Sequence, residues 1–314
     1  MMESAEKNWM TIVVPVFNRP NLIIRCLESL KAQTYRPLHI IIVDNASTDN
    51  TKAKVEAWKD DNASKDFTLT VYSDSRKGAA YARETGLEHV KTDKVMFFDS
   101  DDTMRPRCVE TVMNTWRQDS EIDVIAWPVA IHDGEEGRIT HSIKGNLLER
   151  HLVHAIFRTH GYAVKTEFLR KAGGWKGEFP NWNDLETGAR LLLLDPKVKA
   201  LSEPFVDVYH QGESITGNNF SEKAGKWEIA LDGIDASIGD SGRSDKERLN
   251  NIIAYRRAIL AAHYAKEGHP ELAIPLYEEA LRDIKDKKRP LIRFAYHWTK
   301  RGLRGAFSIV GRFL

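Results

Sequence analysis

Carboxylates gather just after short apolar runs in the first third of the chain. Asp44-Asn45 follows Leu38 to Val43, Ser73-Asp74 follows Phe67 to Tyr72, and Asp99-Ser100-Asp101-Asp102 follows Val95 to Phe98. Taken singly, Asp44 or Asp49 could cap a helix and Asp74 could turn the chain. The Asp-x-Asp-Asp cluster is different, because like charges packed at one strand end destabilise it unless a cation is present. Hard oxygen ligands of this kind suit Mg2+ or Mn2+, which can hold a diphosphate and neutralise it as it departs. The first strand is followed by neither a Gly-x-x-x-x-Gly-Lys-Ser/Thr loop nor a Gly-x-Gly-x-x-Gly turn, which disfavours P-loop NTPases and dinucleotide enzymes. No Gly-x-Ser-x-Gly elbow marks a serine hydrolase.

The elements that must position these carboxylates alternate between two periods. Met10 to Phe17 is an apolar run ended by Asn18-Arg19-Pro20, and Asn21 to Lys31 then places Ile23, Ile24, Leu27 and Leu30 at helical spacing. The theme repeats with a cap-rich loop after Val43, a helix through Trp58, a strand at Phe67 to Tyr72, a helix from Gly78 to Val90 and a strand to Phe98. Strand and helix alternating, with strands apolar throughout, means a mainly parallel sheet covered on both faces, an α/β fold. In such sheets ligands bind beyond the carboxyl ends of the strands, where the carboxylates stand. Farther on, Ile122 to Ala130 and Arg138 to Ile143 read as strands, and Leu147 to Arg158 and Asp184 to Leu194 as helices. The loop from Gly173-Gly174-Trp175 to Asn183 reads as a substrate-facing flap.

Length and composition set outer bounds. A chain of 314 residues suggests about two folding units. Lys plus Arg number 46 and Asp plus Glu 45, so the net charge of +1 gives no overall pull toward nucleic acid. Cys26 and Cys108 cannot form a disulfide framework and lack metal-ligand spacing, as expected of buried thiols in a reducing compartment. The first residues show no basic leader with an apolar run, and no stretch approaches membrane-span length. The expected location is cytoplasmic, free or on the inner face of a membrane.

Four segments, Thr11-Ile-Val-Val-Pro-Val-Phe-Asn18, Val43-Asp-Asn-Ala-Ser-Thr-Asp-Asn-Thr51, Gly78-Ala-Ala-Tyr-Ala-Arg-Glu-Thr-Gly-Leu87 and Phe98-Asp-Ser-Asp-Asp102, resemble the family 2 inverting glycosyltransferases of GT-A fold. The resemblance covers roughly residues 10 to 220. It implies a Rossmann-like GT-A domain whose donor is a nucleotide sugar, usually a UDP-sugar, with Mn2+ or Mg2+ as cofactor. By position in the family's motifs, Pro15, Phe17, Asn18 and Asp44 would hold the base and ribose, Asp74 and Arg83 would complete the nucleotide pocket, and Lys77 sits where the family has an Asn-x-Gly. Asp99 and Asp101 match its Asp-x-Asp signature, with Asp101 the metal ligand and Asp102 beside them as donor or metal-shell support. The segment Asn183-Asp184-Leu-Glu-Thr-Gly-Ala-Arg190 fills the place of the family's Glu-Asp pair that opens a helix, making Asp184 the expected general base and Glu186 a fallback. Asn183 departs from the family's Glu. Val208-Tyr-His-Gln-Gly-Glu-Ser-Ile-Thr216 is similar to its closing segment, with His210 as a metal or diphosphate contact.

The implied reaction moves a sugar to a hydroxyl of a glycan or lipid-linked saccharide in cell-surface polysaccharide synthesis. The alternatives are a sugar-phosphate nucleotidyltransferase, which needs a Gly-rich basic loop that Asn18-Arg19-Pro20 is not, and a non-catalytic scaffold acting through the C-terminal helices.

From about Ser244 the pattern is continuously helical. The expected division is residues 1–235 for the GT-A domain, 245–286 for a helical hairpin with one tetratricopeptide-like repeat, and 287–314 for a basic tail, together a C-terminal helical extension. From Lys287 to Leu314 there are eight Lys and Arg and no Asp or Glu, leaving 38 basic against 45 acidic residues in the rest. Aromatic and aliphatic residues are interleaved with these cations, a composition suited to an anionic membrane surface or to the acidic remainder of the protein. No nucleic-acid partner is expected, and a homo-oligomer stays open.

Overall fold

The computed structural model describes residues 8–133, 136–140, 143–209, 219–282 and 284–314. In chain order its elements are β1 (Met10–Val16), α1 (Leu22–Lys31), β2 (Leu38–Asp44), α2 (Thr51–Asn62), β3 (Phe67–Ser73), α3 (Ala79–Glu88), β4 (Lys94–Phe97), β5 (Thr103–Met104) and α4 (Cys108–Gln118). There follow β6 (Val124–Ala126), β7 (Ala130–Asp133), β8 (Glu136–Ile139), α5 (Leu147–His154), β9 (Tyr162–Lys165), α6 (Thr166–Lys171), α7 (Asn183–Leu193), β10 (Val198–Ala200) and β11 (Val206–Tyr209). The helices α8 (Glu228–Asp240), α9 (Lys246–Lys266), α10 (Pro270–Arg282), α11 (Arg289–Lys300) and α12 (Ala306–Val310) complete the chain.

The first compact unit holds residues up to Gly145 together with Ile156–Gln211. Its main sheet has the order β10-β6-β9-β4-β1-β2-β3, and a second sheet has the order β5-β11-β7-β8. The pairs β4-β1, β1-β2 and β2-β3 are parallel, while β9 runs antiparallel to both β4 and β6. Every residue of β1 is buried, as expected for a strand covered on both faces. On one face α3 lies close against β1. A Cβ on Gly86 would stand 2.3 Å from Cγ1 of Val13, so only glycine permits that approach.

Register brings the carboxylates to one rim. Val16 is level with Asp44 and Asp44 with Ser73, so the chain leaves β1, β2 and β3 at the same edge. Backbone bonds continue the ladder past the strands, Asn45 N to Val16 O at 2.8 Å, Asp74 N to Asp44 O at 2.9 Å and Phe98 N to Val13 O at 2.9 Å. The reading of an α/β fold with a mainly parallel sheet therefore holds, with helices as a C-terminal extension. The expected strand Ile122 to Ala130 is instead two, β6 and β7, in different sheets. Pro128 stands in the gap and, having no N–H, cannot extend a ladder. The expected flap is also not loose, because Trp175 and Phe179 are buried.

The second unit holds Asn146–Ala155 and Gly212–Leu314. The expected division between 235 and 245 falls inside this unit, because Ala230, Leu231, Ile234 and Ile238 bury the face of α8 that packs on α9. Helix α9 is its centre, with α5, α8, α10 and α11 around it. Within this unit Arg257 is buried between Asp232 and Asp235 of α8 and Glu279 of α10. The hairpin α9–α10 is thus one part of a larger helical body, and the basic tail is its continuation. Ile292, Ala295 and Tyr296 of α11 are buried, and the carbonyl of Leu314 accepts bonds from Asn251 and Lys288. Among the described residues no helix is long and apolar enough to cross a membrane.

Candidate functional site

At the ends of β1 and β2 the chain makes a polar wall. Asn18 adopts a left-handed conformation, φ 48°, accessible to Asn at modest cost. Its backbone N–H donates to Ser47 Oγ at 3.0 Å, and its Oδ1 accepts from Thr48 N at 2.8 Å. Asp44 is 5% exposed; its Oδ2 accepts weakly from Ser47 N at 3.3 Å, and its Oδ1 has no partner among the described residues. A buried carboxylate oxygen without a donor is costly, and it marks where a ligand N–H or O–H would be bound. Phe17, 47% exposed, stands at this rim, whereas Pro15 is buried in β1.

The next loop is built by Asp74, whose expected role changes. Its Oδ1 accepts from Arg76 N and Nε, and its Oδ2 from Arg76 Nη2 and Thr85 Oγ1, at 2.7–3.1 Å. Burial works against this charge, but the bonds from Arg76 and Thr85 outweigh it and hold the carboxyl below its ordinary value. With both oxygens engaged, Asp74 shapes the loop and does not offer itself to a nucleotide. Asn45 does the same from β2, accepting from Gly78 N at 2.7 Å and donating to the carbonyls of Asp74 and Arg76. Lys77 is exposed on that loop.

Beyond β4 the acidic cluster is held by cations. Buried Arg83, on α3, donates to Asp99 Oδ1 at 2.6 Å and to Asn183 Oδ1 at 3.0 Å. Its guanidinium lies 4.9 Å from the ring of Trp175, which rests on Phe97. His160 Nδ1 lies 3.2 Å from Asp99 Oδ2 and 3.3 Å from Asp102 Oδ2, and Asp102 Oδ1 accepts from Tyr209 N at 3.1 Å. Burial opposes the charge on Asp99, yet Arg83 and His160 hold it well below the usual carboxylate range. Burial raises Asp102 to about 7 against the pull of His160, with Asp99 and Asp101 adding to the rise. Burial would lower His160, but its bond to Asp99 and the charge of Asp102 raise it. The side chain of Asp101, close enough for its charge to act on Asp102, makes an ion pair with Arg19, while Arg25 donates to its carbonyl and stacks over Tyr209.

This departs from the expected grouping of Asp99 with Asp101. The carboxylates brought together are Asp99 and Asp102, and with His160 they offer ligand atoms within 4.8 Å of one another. His160 Nδ1 lies between those two carboxylates, whereas the oxygens of Asp99 and Asp101 are hard donors of the kind that suit Mg2+ or Mn2+. His210 lies outside the described residues. His160 escaped the sequence reading because β9 was not recognised there; the signal was the short apolar Tyr162-Ala-Val164 after Gly161. Arg19 and Arg25 carried no motif of their own, and Asn45, though inside the Val43–Thr51 segment, carried no role of its own.

Helix α7 supplies the last group. Asp184 is partly exposed in its first turn, beside Asn183, the partner of Arg83. Burial, followed by the charge of Asp184, pushes the hydroxyl of Tyr162 up, which places that carboxylate in the same neighbourhood. The turn before it contains Trp182 in the left-handed region, φ 50°, a strained conformation for a bulky residue. The fallback role of Glu186 is overturned. It is 1% exposed, and both oxygens accept from Arg190, whose Nη groups also donate to the carbonyls of Ala172 and Gly174. A sealed, fully paired carboxylate fixes the Gly173-Gly174-Trp175 turn and cannot take a proton from an acceptor.

The family described as Glycosyl transferase family 2 matches residues 11–173. Glycosyltransferase GlyG of Streptococcus pneumoniae serotype 4 is 27% identical over 53% of the chain, which spans about half (51%) of that relative. The UDP-Glc:alpha-D-GlcNAc-diphosphoundecaprenol beta-1,3-glucosyltransferase WfaP of Escherichia coli is 26% identical over 82% of this chain and 93% of its own length. Among solved structures, S. aureus TarS 1-349 in complex with UDP-GlcNAc superposes with a TM-score of 0.70 at 17% identity, covering 94% of this chain and 92% of that one. That likeness shows the shared fold.

Proposed function

The chain belongs to glycosyl transferase family 2, and on that footing we propose that it is an inverting transferase moving a sugar from a nucleoside diphosphate, UDP first among them, to a hydroxyl of a glycan or lipid-linked saccharide. The relative from E. coli named for a UDP-Glc donor and a diphosphoundecaprenol acceptor, and the UDP-GlcNAc complex of TarS, support the donor and acceptor classes. Family membership leaves the nucleotidyltransferase alternative without support.

Each residue has a task in this reading. The unpartnered Oδ1 of Asp44 accepts from the base, and Asn18 with the Ser47-Thr48 turn walls that end. Asp99 and Asp101 are the side chains that would hold a divalent cation, which when bound neutralises the departing diphosphate. Asp102 and His160 stand behind Asp99 and fix it, since His160 Nδ1 already fills the space between the two carboxylates and Asp102 is almost sealed. Arg83 keeps Asp99 in its charged form. Asp184 removes the proton from the acceptor hydroxyl as that oxygen attacks the anomeric carbon opposite the diphosphate.

The observation that carries the proposal is the Arg83 bridge, with one guanidinium bonded at once to Asp99 and to the neighbour of Asp184. In this reading that guanidinium links the carboxylate at the donor end to the helix turn that carries the base. The test is UDP release from a panel of UDP-sugars with lipid-linked and glycan acceptors, together with UDP binding, in wild type and Asp184→Asn. Turnover should fall by about 10²–10⁴-fold, the usual contribution of a general base, with UDP affinity unchanged. Equal turnover in the two proteins would remove Asp184 from the mechanism.

A further inference from the structure

We propose that the C-terminal arm, α11 through Leu314, is a docking surface for an anionic lipid bilayer, and that it binds through the side of α11 turned away from α9 and through the turn and short helix that follow. The residues that would bind lie in this arm alone, apart from those of the transferase reading.

Helix α11 has two apolar sets. Ile292, Ala295 and Tyr296, at three- and four-residue spacing, are buried in the helical unit. Phe294 and Trp298, one turn apart, form a second set on the other side, their rings 5.2 Å apart and Phe294 38% exposed. The following turn is fastened to this pair: Leu303 N donates to Trp298 O at 3.2 Å, and Trp298 Nε1 donates to Arg304 O at 3.0 Å. Leu303 is itself exposed, and α12 and its end add Ile309 and Phe313, four residues apart, with Phe313 65% exposed. Packing the first set explains why the arm folds, but it does not explain why the second set is apolar.

The charges decide what covers it. Arg293, Lys300, Arg301, Arg304 and Arg312 are exposed and enter no ion pair among the described residues, and no Asp or Glu occurs from Lys287 to Leu314. A second copy offers the same cationic surface, so symmetric pairing through it would set like charges face to face. A bilayer carrying anionic headgroups supplies both complements. Phe and Trp rings settle at the headgroup level, and Arg and Lys reach past them to phosphate. Each cation near such a surface adds about 1 kcal/mol of attraction, falling off within a Debye length.

The test is flotation of the full-length protein with vesicles of phosphatidylcholine alone or mixed with phosphatidylglycerol. Binding to the mixed vesicles only, weakening as salt rises, is expected. The Arg301→Gln/Arg304→Gln/Arg312→Gln variant should lose affinity on the order of 100-fold, from three such cations. Phe294→Ser/Phe313→Ser should also lose binding while keeping the wild-type melting temperature, because neither ring is buried. Truncation is unsuitable, since it strips Ile292, Ala295 and Val310 from the core of the helical unit. No flotation with anionic vesicles, or affinity unchanged in the triple Gln variant, overturns the proposal. A dimer of the wild type that dissolves in Phe294→Ser/Phe313→Ser, without lipid binding, would also overturn it by naming a second copy as the occupant. UDP binding by the same variants reports separately on the transferase site.

Discussion

The acidic rim of the sheet and the basic arm at the C-terminus carry charge in opposite ways. At the rim, Asp74, Asp99, Asp101 and Asp102 each have named partners, in Arg76, Arg83, Arg19 and His160, with Asp74 and Asp102 buried and the other two partly so. In the arm, five cations are exposed and enter no ion pair among the described residues, and exposed apolar side chains lie among them. Buried, paired charge is costly to desolvate and holds geometry to tenths of an ångström, as a reacting site requires. Loose charge in water holds no geometry, yet it supplies a field that reaches a charged surface before contact. The two regions therefore suit two kinds of recognition, one of a small anion in a fixed pose and one of an extended surface in no fixed pose.

Substitutions can break or sharpen that contrast. Within the sheet-bearing unit, Glu186→Gln should be the most damaging to stability. It leaves Arg190 buried without its carboxylate, a class of change that costs about 3–5 kcal/mol, read by urea denaturation. A loss below about 1 kcal/mol would mean that the pair does not support the Gly173-Gly174 turn. Asp74→Asn should act more gently and with a pH signature. The folded-state pKa of Asp74 lies below its ordinary value of 3.8, so its contribution is present above that value and is lost as pH falls through the folded-state value. The stability gap between wild type and Asp74→Asn should accordingly be widest above about pH 4 and close in more acid solution. A gap independent of pH would show that Arg76 and Thr85 do not favour the charged form. Smallest of all, the triple Gln variant of the arm should change unfolding free energy by no more than about 0.5 kcal/mol, as expected for surface positions, whatever it does to vesicle binding.

Much of the sheet was legible because buried parallel strands announce themselves as unbroken apolar runs, and the residues that end them fall at one rim by the geometry of the fold. Asp44 and Asp74 looked alike by that logic. They differ because Arg76 and Thr85, two and eleven residues after Asp74, consume its oxygens, whereas Asp44 keeps one oxygen unpaired. Local sequence shows that an aspartate ends a strand and is silent on which donors reach it. His160 was hidden for a related reason: β9 enters the sheet antiparallel between β4 and β6, a long-range placement that no periodicity in a four-residue strand reveals. The reading of Glu186 failed on burial. A carboxylate one helical step after Asp184 looks equally available until Arg190, four residues on, closes over it. The basic arm was legible in composition, but which of its apolar residues face inward depended on the path of α9.

The central claim is that carboxylates at the rim grip a nucleoside diphosphate through a divalent cation. Calorimetric titration of UDP into the full-length protein, with Mn2+ and then with a chelator in its place, tests it most directly, repeated for Asp101→Asn. The account predicts that Mn2+ raises UDP affinity in the wild type by roughly 10-fold or more and that Asp101→Asn loses that gain. UDP affinity that is the same with Mn2+ and with chelator, or a Mn2+ gain that survives in Asp101→Asn, would contradict it.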